Sequence, residues 1–285
     1  MSGLSFRKFH GFGNDYIVFH RDGVKGTATL SDLARRMCER HSGVGGDGLA
    51  VLEKLDGRVA DYSCEIVNPD GSFAGFSGNG TRCAVADLYD SGVWAAKTLR
   101  LKTRSGIKVY RLLARHGHEF EFEAEIGVPR FQSKDIPVAT STPRHAVVNE
   151  PIALAGGQYT FSAVNVGNPV AAIFMDSFDI DWRSIGREME THSLFPERTN
   201  VVFVNVRDRE NVDVRIWERG AGETAASGTC ATAAAVISSF LLKTARAVHV
   251  HSPGGTADVV WRDDDQIVLT GKASLVFSGE WPLTT

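Results

Sequence analysis

The sequence predicts an α+β fold of two pseudo-symmetric halves, in each of which strands surround one buried helix. Ser227-Gly228-Thr229 opens a helix whose residues Ala231–Ala235 are small and apolar on every side, a pattern that belongs in a core. Ser77-Gly78-Asn79-Gly80 repeats the design ahead of an apolar helix, Ala84–Tyr89, and the two serines stand 150 positions apart in a chain of 285 residues. In both halves alternating strands precede and follow the helix, without the regular strand–helix alternation of a parallel sheet.

Taken in order, the chain opens with a strand from Phe6, a turn at Gly11–Asp15 and a second strand, Tyr16–Phe19. Asn14 and Asp15 suit a turn; the competing reading directs the Asn14 side chain at a ligand. Leu30, Leu33, Ala34, Met37 and Cys38 share one face of a helix over Leu30–Arg40. A glycine-rich loop, His41–Gly48, leads to the strand Leu49–Glu53 and lacks the lysine of a phosphate-binding loop. The strand Tyr62–Val67 ends at the turn Asn68-Pro69-Asp70-Gly71. Strands at Leu99–Thr103, Gly106–Leu113 and Glu119–Ile126 follow the first serine helix, and Gly127-Val128-Pro129 closes the half.

The second half begins with a polar, proline-containing stretch near 131–150. A strand at Gln158–Val166, a turn at Gly167-Asn168-Pro169 and a strand at Val170–Met175 come next. A helix is predicted over Trp182–His192. The strands Val201–Val206 and Val212–Trp217 follow, the latter delivering Glu218 and Arg219 just before the second serine turn. Ala247–His251, Ala257–Trp261, Ile267–Thr270 and Ser274–Phe277 complete the set of strands.

Net charge is −3, with 43% hydrophobic and 23% charged residues, ordinary values for a globular chain. No basic run suggests a nucleic-acid partner, and no apolar stretch is long enough for a membrane helix. The N-terminus lacks the apolar core of a signal peptide, so a cytoplasmic location is expected. Cys38, Cys64, Cys83 and Cys230 show neither a C-x-x-C pair nor zinc spacing and are expected to be free thiols. His116 with His118, and His249 with His251, alternate as on exposed strands, and no metal site is predicted.

Ser227 and Ser77 are good N-cap residues. The N–H groups and dipole of a helix N-terminus favour an anion such as a carboxylate. Two such termini in similar halves suggest one cleft served from both sides.

The motifs HGFGNDY, HSGVGGDG, NPDGS, SGNGTRC, NVGNP, FPERTN and WERGAGET stand in the order found in diaminopimelate epimerases, and the chain resembles that family from Phe6 to about Phe277. The resemblance implies a cofactor-independent isomerase that interconverts LL- and meso-diaminopimelate by two-base α-proton transfer, in lysine and cell-wall precursor biosynthesis. It implies two domains, each a barrel-like sheet around a central helix, with residues 1–127 plus 271–285 in one and 128–270 in the other. Asn14, Asn68, Asn168, Asn200 and Arg219 match substrate-binding residues, and Glu218 an acid that holds the amine and tunes a base. The backbone N–H groups of Gly78, Asn79, Gly228 and Thr229 match those that hold the reacting carboxylate. The implied partner is a small amino-acid substrate, and a homodimer is compatible with the family.

Three positions depart from the pattern. The family's paired catalytic cysteines are Ser77 and Ser227 here, and the histidine after the GNP turn is Val170. A thiol titrates near pH ~8.5 and falls further at a helix N-terminus; a serine hydroxyl is a far weaker acid. Cys230, three residues beyond Ser227, is a candidate substitute thiol, whereas Cys83 is expected in the core. Besides an epimerase with Ser77, Ser227 and Glu218 as its proton-transfer groups, two readings stay open: a related isomerase or dehydratase with another substrate, and a homologue that binds an amino acid without turning it over.

Overall fold

The computed structural model describes residues 3–24, 28–154 and 156–283. Residues 1–2, 25–27 and 284–285, which the predicted first domain includes, lie outside the described residues. The chain divides into two compact units, Met1–Ala124 with Thr270–Thr285, and Glu125–Leu269.

In the first unit β1 (Gly3–Gly11) and β2 (Asn14–His20) form an antiparallel hairpin. It turns at Phe12 and Gly13, with φ of 56° and 82°. The strand therefore begins at Asn14 itself. Helix α1 (Leu30–Met37) is capped by Thr29, which accepts from Asp32 N, and buries Leu33, Ala34 and Met37. It stops short of the predicted Arg40 because the N–H groups of Val44 and Gly45 both take up the Met37 carbonyl, at 2.9 Å each. β3 (Gly48–Lys54) runs parallel to β2, and β4 (Tyr62–Val67) antiparallel to β3. A two-residue strand, β5 (Phe73–Ala74), pairs with β4 and is too short to leave a periodic signal. Then come α2 (Gly78–Asp90), β6 (Thr98–Thr103), β7 (Gly106–His116) and β8 (Glu119–Gly127). β6 is parallel to β4 and antiparallel to β7.

The second unit repeats this plan. An additional strand, β9 (Val147–Leu154), pairs antiparallel with β10 (Gly157–Asn165), which pairs antiparallel with β11 (Pro169–Phe174). Helix α3 (Trp182–Glu190) precedes β12 (Asn200–Val206), β13 (Asn211–Glu218) and the short β14 (Gly222–Thr224). Helix α4 (Gly228–Phe240) then leads to β15 (Ala247–Ser252), β16 (Gly255–Trp261) and β17 (Ile267–Pro282). As in the first unit, β11 and β12 are parallel, β12 and β13 antiparallel, and β13 and β15 parallel. Even the register repeats: Tyr16 stands opposite Gly48, the first residue of β3, and Val170 opposite Asn200, the first residue of β12.

The fold is thus α+β, each unit a barrel-like sheet folded round one helix. α2 packs on β1 to β4, and α4 on β10 to β13, β15 and β16. Every residue of α4 from Gly228 to Ser239 is buried. Both helices start directly after their serine, six and three residues earlier than the apolar runs suggest. Glycine in a helix costs about 1 kcal/mol relative to alanine, and the close packing of these first turns offsets it. β9 starts in the polar stretch near 131–150 and runs on to Leu154, where no strand is predicted. Pro151 and the left-handed Asn149 (φ 49°) hide its alternation, although Val147, Ile152 and Leu154 join the core.

The two final strands predicted at Ile267–Thr270 and Ser274–Phe277 are one strand of 16 residues. Gly271 between them is no chain break. A Cβ there would lie 2.9 Å from Arg82 Cζ and 3.0 Å from Phe12, so the strand needs the missing side chain for room. Gly271→Ala is expected to cost about 1–3 kcal/mol, typical of overpacking a filled interior. Denaturant titration measures it; an unchanged midpoint would mean that the guanidinium swings aside.

Candidate active site

Each unit brings functional side chains to the start of its central helix. In the first, Ser77 has the extended backbone of an N-cap (φ −134°, ψ 119°) and its Oγ accepts from Gly80 N. That satisfies one of the N–H groups that an α-helix leaves without internal partners. The same Oγ lies 2.9 Å from the Tyr16 hydroxyl.

A chain of amides runs beside it. Arg82, 1% exposed, donates from Nη1 to Asn79 Oδ1 at 2.8 Å. A guanidinium can only donate, so Asn79 must turn its Nδ2 outward, and this donates to Asn14 Oδ1 at 3.2 Å. Asn14 Nδ2 in turn donates to Asp47 Oδ2 at 2.6 Å. Arg40 bridges Asp15 and Asp47 at 2.8 and 2.7 Å, and Lys8 reaches Asp15 at 2.8 Å. Burial pushes the Asp15 carboxyl up, but Arg40 and Lys8 outweigh it and bring its pKa down to about 2. Asp47 moves up, through burial and the neighbouring Asp15 charge. Burial lowers the pKa of Arg82. Asn68, at the end of β4, donates to Ser72 Oγ at 2.9 Å within its own turn.

In the second unit Ser227 takes the same cap conformation (φ −144°, ψ 123°). Its Oγ donates to Glu218 Oε1 at 2.7 Å and lies 3.4 Å from Thr229 Oγ1. A carboxylate oxygen only accepts, so here the serine proton points at Glu218. Asn200 Oδ1 accepts from Arg219 N at 2.9 Å, while its Nδ2 donates to the Pro169 carbonyl at 3.3 Å. Arg219 Nη1 donates to the Glu197 carbonyl at 2.9 Å. The Asn168 carbonyl closes the turn by accepting from Val166 N at 3.2 Å. Val170 is wholly buried in β11. Glu190, at the end of α3, accepts from Trp217 Nε1 at 2.8 Å and Gly220 N at 2.9 Å, fixing both flanks of Glu218-Arg219.

The structure therefore joins Asn14 to Asn79, Glu218 to Ser227, and Asn200 to Arg219. Gly78, Asn79, Gly228 and Thr229 are all buried in the first turns of their helices. Cys230 is 0% exposed, and burial followed by the Glu218 charge pushes its thiol well up. Cys83 is also fully buried, its thiol raised by burial to about 12.

Tyr16, Asp47, Arg82 and Glu190 were not legible as site residues from spacing alone. Two of them left a signal. Tyr16 lies two residues after Asn14 on a strand and so shares its face, and Arg82 is the one basic residue of its helix. Among the described residues no cluster of three or more His, Cys, Asp or Glu is arranged for a metal, and no helix is long and apolar enough to cross a membrane.

Glu190→Gln leaves one acceptor for two backbone and indole donors, and is expected to cost about 1–3 kcal/mol with a shift in Trp217 fluorescence; unchanged fluorescence and stability would contradict the bonding described. The depressed Asp15 pKa contributes stability that is complete above about pH 4 and lost as pH falls through about 2. Asp47, raised, acts with the opposite sign at higher pH. Acid unfolding of Asp15→Asn should be flatter than wild type between those two values, and an equally steep acid limb would assign the loss elsewhere.

A sheet folded round one buried helix in each unit is an architecture shared with solved structures of epimerases. A hydroxyproline epimerase from Agrobacterium vitis superposes with a TM-score of 0.75 at 15% identity, covering 100% of this chain and 94% of its own. A predicted epimerase from Pseudomonas aeruginosa gives 0.73 at 18% identity, covering 99% and 100%. The family model for diaminopimelate epimerase matches residues 6–130 and 162–276. The chain is 40% identical over 278 residues to a diaminopimelate epimerase of Caldanaerobacter subterraneus subsp. tengcongensis, covering 97% of this chain and 99% of that protein. It is also 40% identical over 286 residues to one of Pelotomaculum thermopropionicum, covering 99% and 100%. The chain belongs to the diaminopimelate epimerase family.

Proposed function

We propose that this protein is a cytoplasmic isomerase that interconverts LL- and meso-diaminopimelate by moving the proton of one α-carbon. The single observation that carries the chemistry is the 2.7 Å hydrogen bond from Ser227 Oγ to Glu218, a hydroxyl at a helix N-terminus already directed at a carboxylate. Removing an α-proton builds negative charge on the adjacent carboxylate. The N–H groups of Gly78, Asn79, Gly228 and Thr229 would hold that charge where it develops. This is the work an electron-sink cofactor does in other enzymes, and the reading uses no cofactor.

In this reading Ser77 and Ser227 serve opposite faces of the carbon, one removing and one supplying a proton. Glu218 accepts the Ser227 proton as that serine takes the substrate's. Asn14, Asn68, Asn168 and Asn200 bind the polar groups of a long substrate, and Arg219 a carboxylate, for which its planar fork is suited. The protein acts on a small molecule, with no nucleic-acid or membrane partner.

Incubation with LL-diaminopimelate in deuterium oxide tests the reading. The α-proton signal should disappear as the meso isomer forms. Exchange or elimination confined to another amino acid would instead make it a related isomerase or dehydratase. Thermal stabilisation by diaminopimelate without exchange would make it a binding protein. Replacing both serines, Ser77→Cys with Ser227→Cys, is expected to raise the rate by 10-fold or more, since thiols titrate nearer neutrality; a flat rate would assign the limitation to Val170 or to pocket shape.

A further inference from the structure

The phenol of Tyr16 sits in a slot made for it. Its hydroxyl lies 2.9 Å from Ser77 Oγ, and the residue is 6% exposed. Two glycines leave room for the ring. A Cβ on Gly48 would come within 2.9 Å of Tyr16 Cε1, and one on Gly80 within 2.8 Å of the same atom. Neither glycine has positive φ, so backbone freedom does not explain them. Both instead clear space for a ring whose hydroxyl then meets Ser77. On the other side Gly80 N donates to Ser77 Oγ at 3.1 Å, so the serine oxygen is held between a fixed donor and the phenol.

Ser77 alone is a poor proton donor, because a serine hydroxyl is a much weaker acid than a thiol. A tyrosine titrates near pH ~10, closer to what the reaction needs. We propose that Tyr16 is the proton source for the Ser77 face, acting through the Ser77 hydroxyl as a relay. This rests on the epimerase reading above. The α-carbanion takes the proton of Ser77 Oγ–H, forming the new C–H bond. Ser77 takes the phenolic proton of Tyr16 in the same movement, and Tyr16 is left as phenolate until water returns a proton to it. In the opposite direction the phenolate draws the α-proton through Ser77. No electron leaves or enters the protein.

Tyr16→Phe keeps the ring and deletes only the hydroxyl. It is expected to lower kcat for α-exchange in deuterium oxide by about 100-fold or more, in the range of lost acid–base catalysis, with KM changed less than about 3-fold. The same substitution in a Ser77→Cys background, where the thiol needs no relay, should cost less than about 3-fold. Equal losses in the two backgrounds would show that Tyr16 only packs, and would overturn the relay. Fluorotyrosine at position 16, a stronger acid of nearly the same shape, covers the case of a misfolded Tyr16→Phe chain: a rise of about 2- to 5-fold in exchange is expected, and an unchanged rate overturns the relay. Wild-type exchange that Tyr16→Phe leaves unchanged would overturn the relay alone and leave the diaminopimelate reading standing. Exchange by the Ser77→Cys, Ser227→Cys pair but none by wild type would overturn both and leave a diaminopimelate-binding chain. Absence of exchange in the pair and wild type alike would overturn the diaminopimelate reading, and the relay with it.

Discussion

The constraint on which the structure depends is that a helix buried on all sides cannot start just anywhere. α4 is covered from Gly228 to Ser239, so the N–H groups of its first turn have no solvent to turn to. Each must find a partner or lose hydrogen-bond energy on folding. A serine cap satisfies one of them, and the first turn has to open at a polar place. The sheets supply the covering and the serine turns supply the opening. Burial of the helix, needed for stability, thus leaves a set of donors concentrated at one polar end in each unit.

What surrounds those ends is built to hold orientation more than charge. Arg82 fixes Asn79, Asn79 fixes Asn14, and Asn14 reaches Asp47. Each amide has one sense only, because the chain starts at a group that can only donate and finishes at a carboxylate that can only accept. Glu190 does comparable work in the second unit by gripping Trp217 and Gly220. Side chains locked in this way need little reordering when a ligand arrives, which is the preorganisation that makes a site effective.

Much of this was legible in the residues. β4 begins and ends where its alternation predicts, and Glu218 lies at the end of its strand beside the serine turn. Ser77 and Ser227 could be assigned as caps because capping is a local matter of side-chain chemistry. What escaped depends on the third dimension. Gly271 looks like a break in sequence, and only the buried Arg82 behind it explains an unbroken strand. Tyr16 looks like one more strand aromatic until its hydroxyl is seen beside Ser77. β9 escaped because a proline and a left-handed asparagine obscured its pattern.

The internal repeat sharpens what the two serines can do. Tyr16 and Val170 occupy the same register point in their units, each opposite the first residue of the next parallel strand. Asn68 and Glu218 likewise follow equivalent residues, Val67 paired with Leu49 and Trp217 paired with Val201. One unit therefore places its ionisable group, a phenol, on the strand before the parallel crossing, where the other has valine. The second unit places a carboxylate at the end of the later strand, where the first has asparagine. Inverting a carbon calls for a donor and an acceptor at the same moment, not for two copies of one group. On the proposed reading, a phenol beside Ser77 and a carboxylate beside Ser227 give the repeated fold two unlike proton-transfer groups.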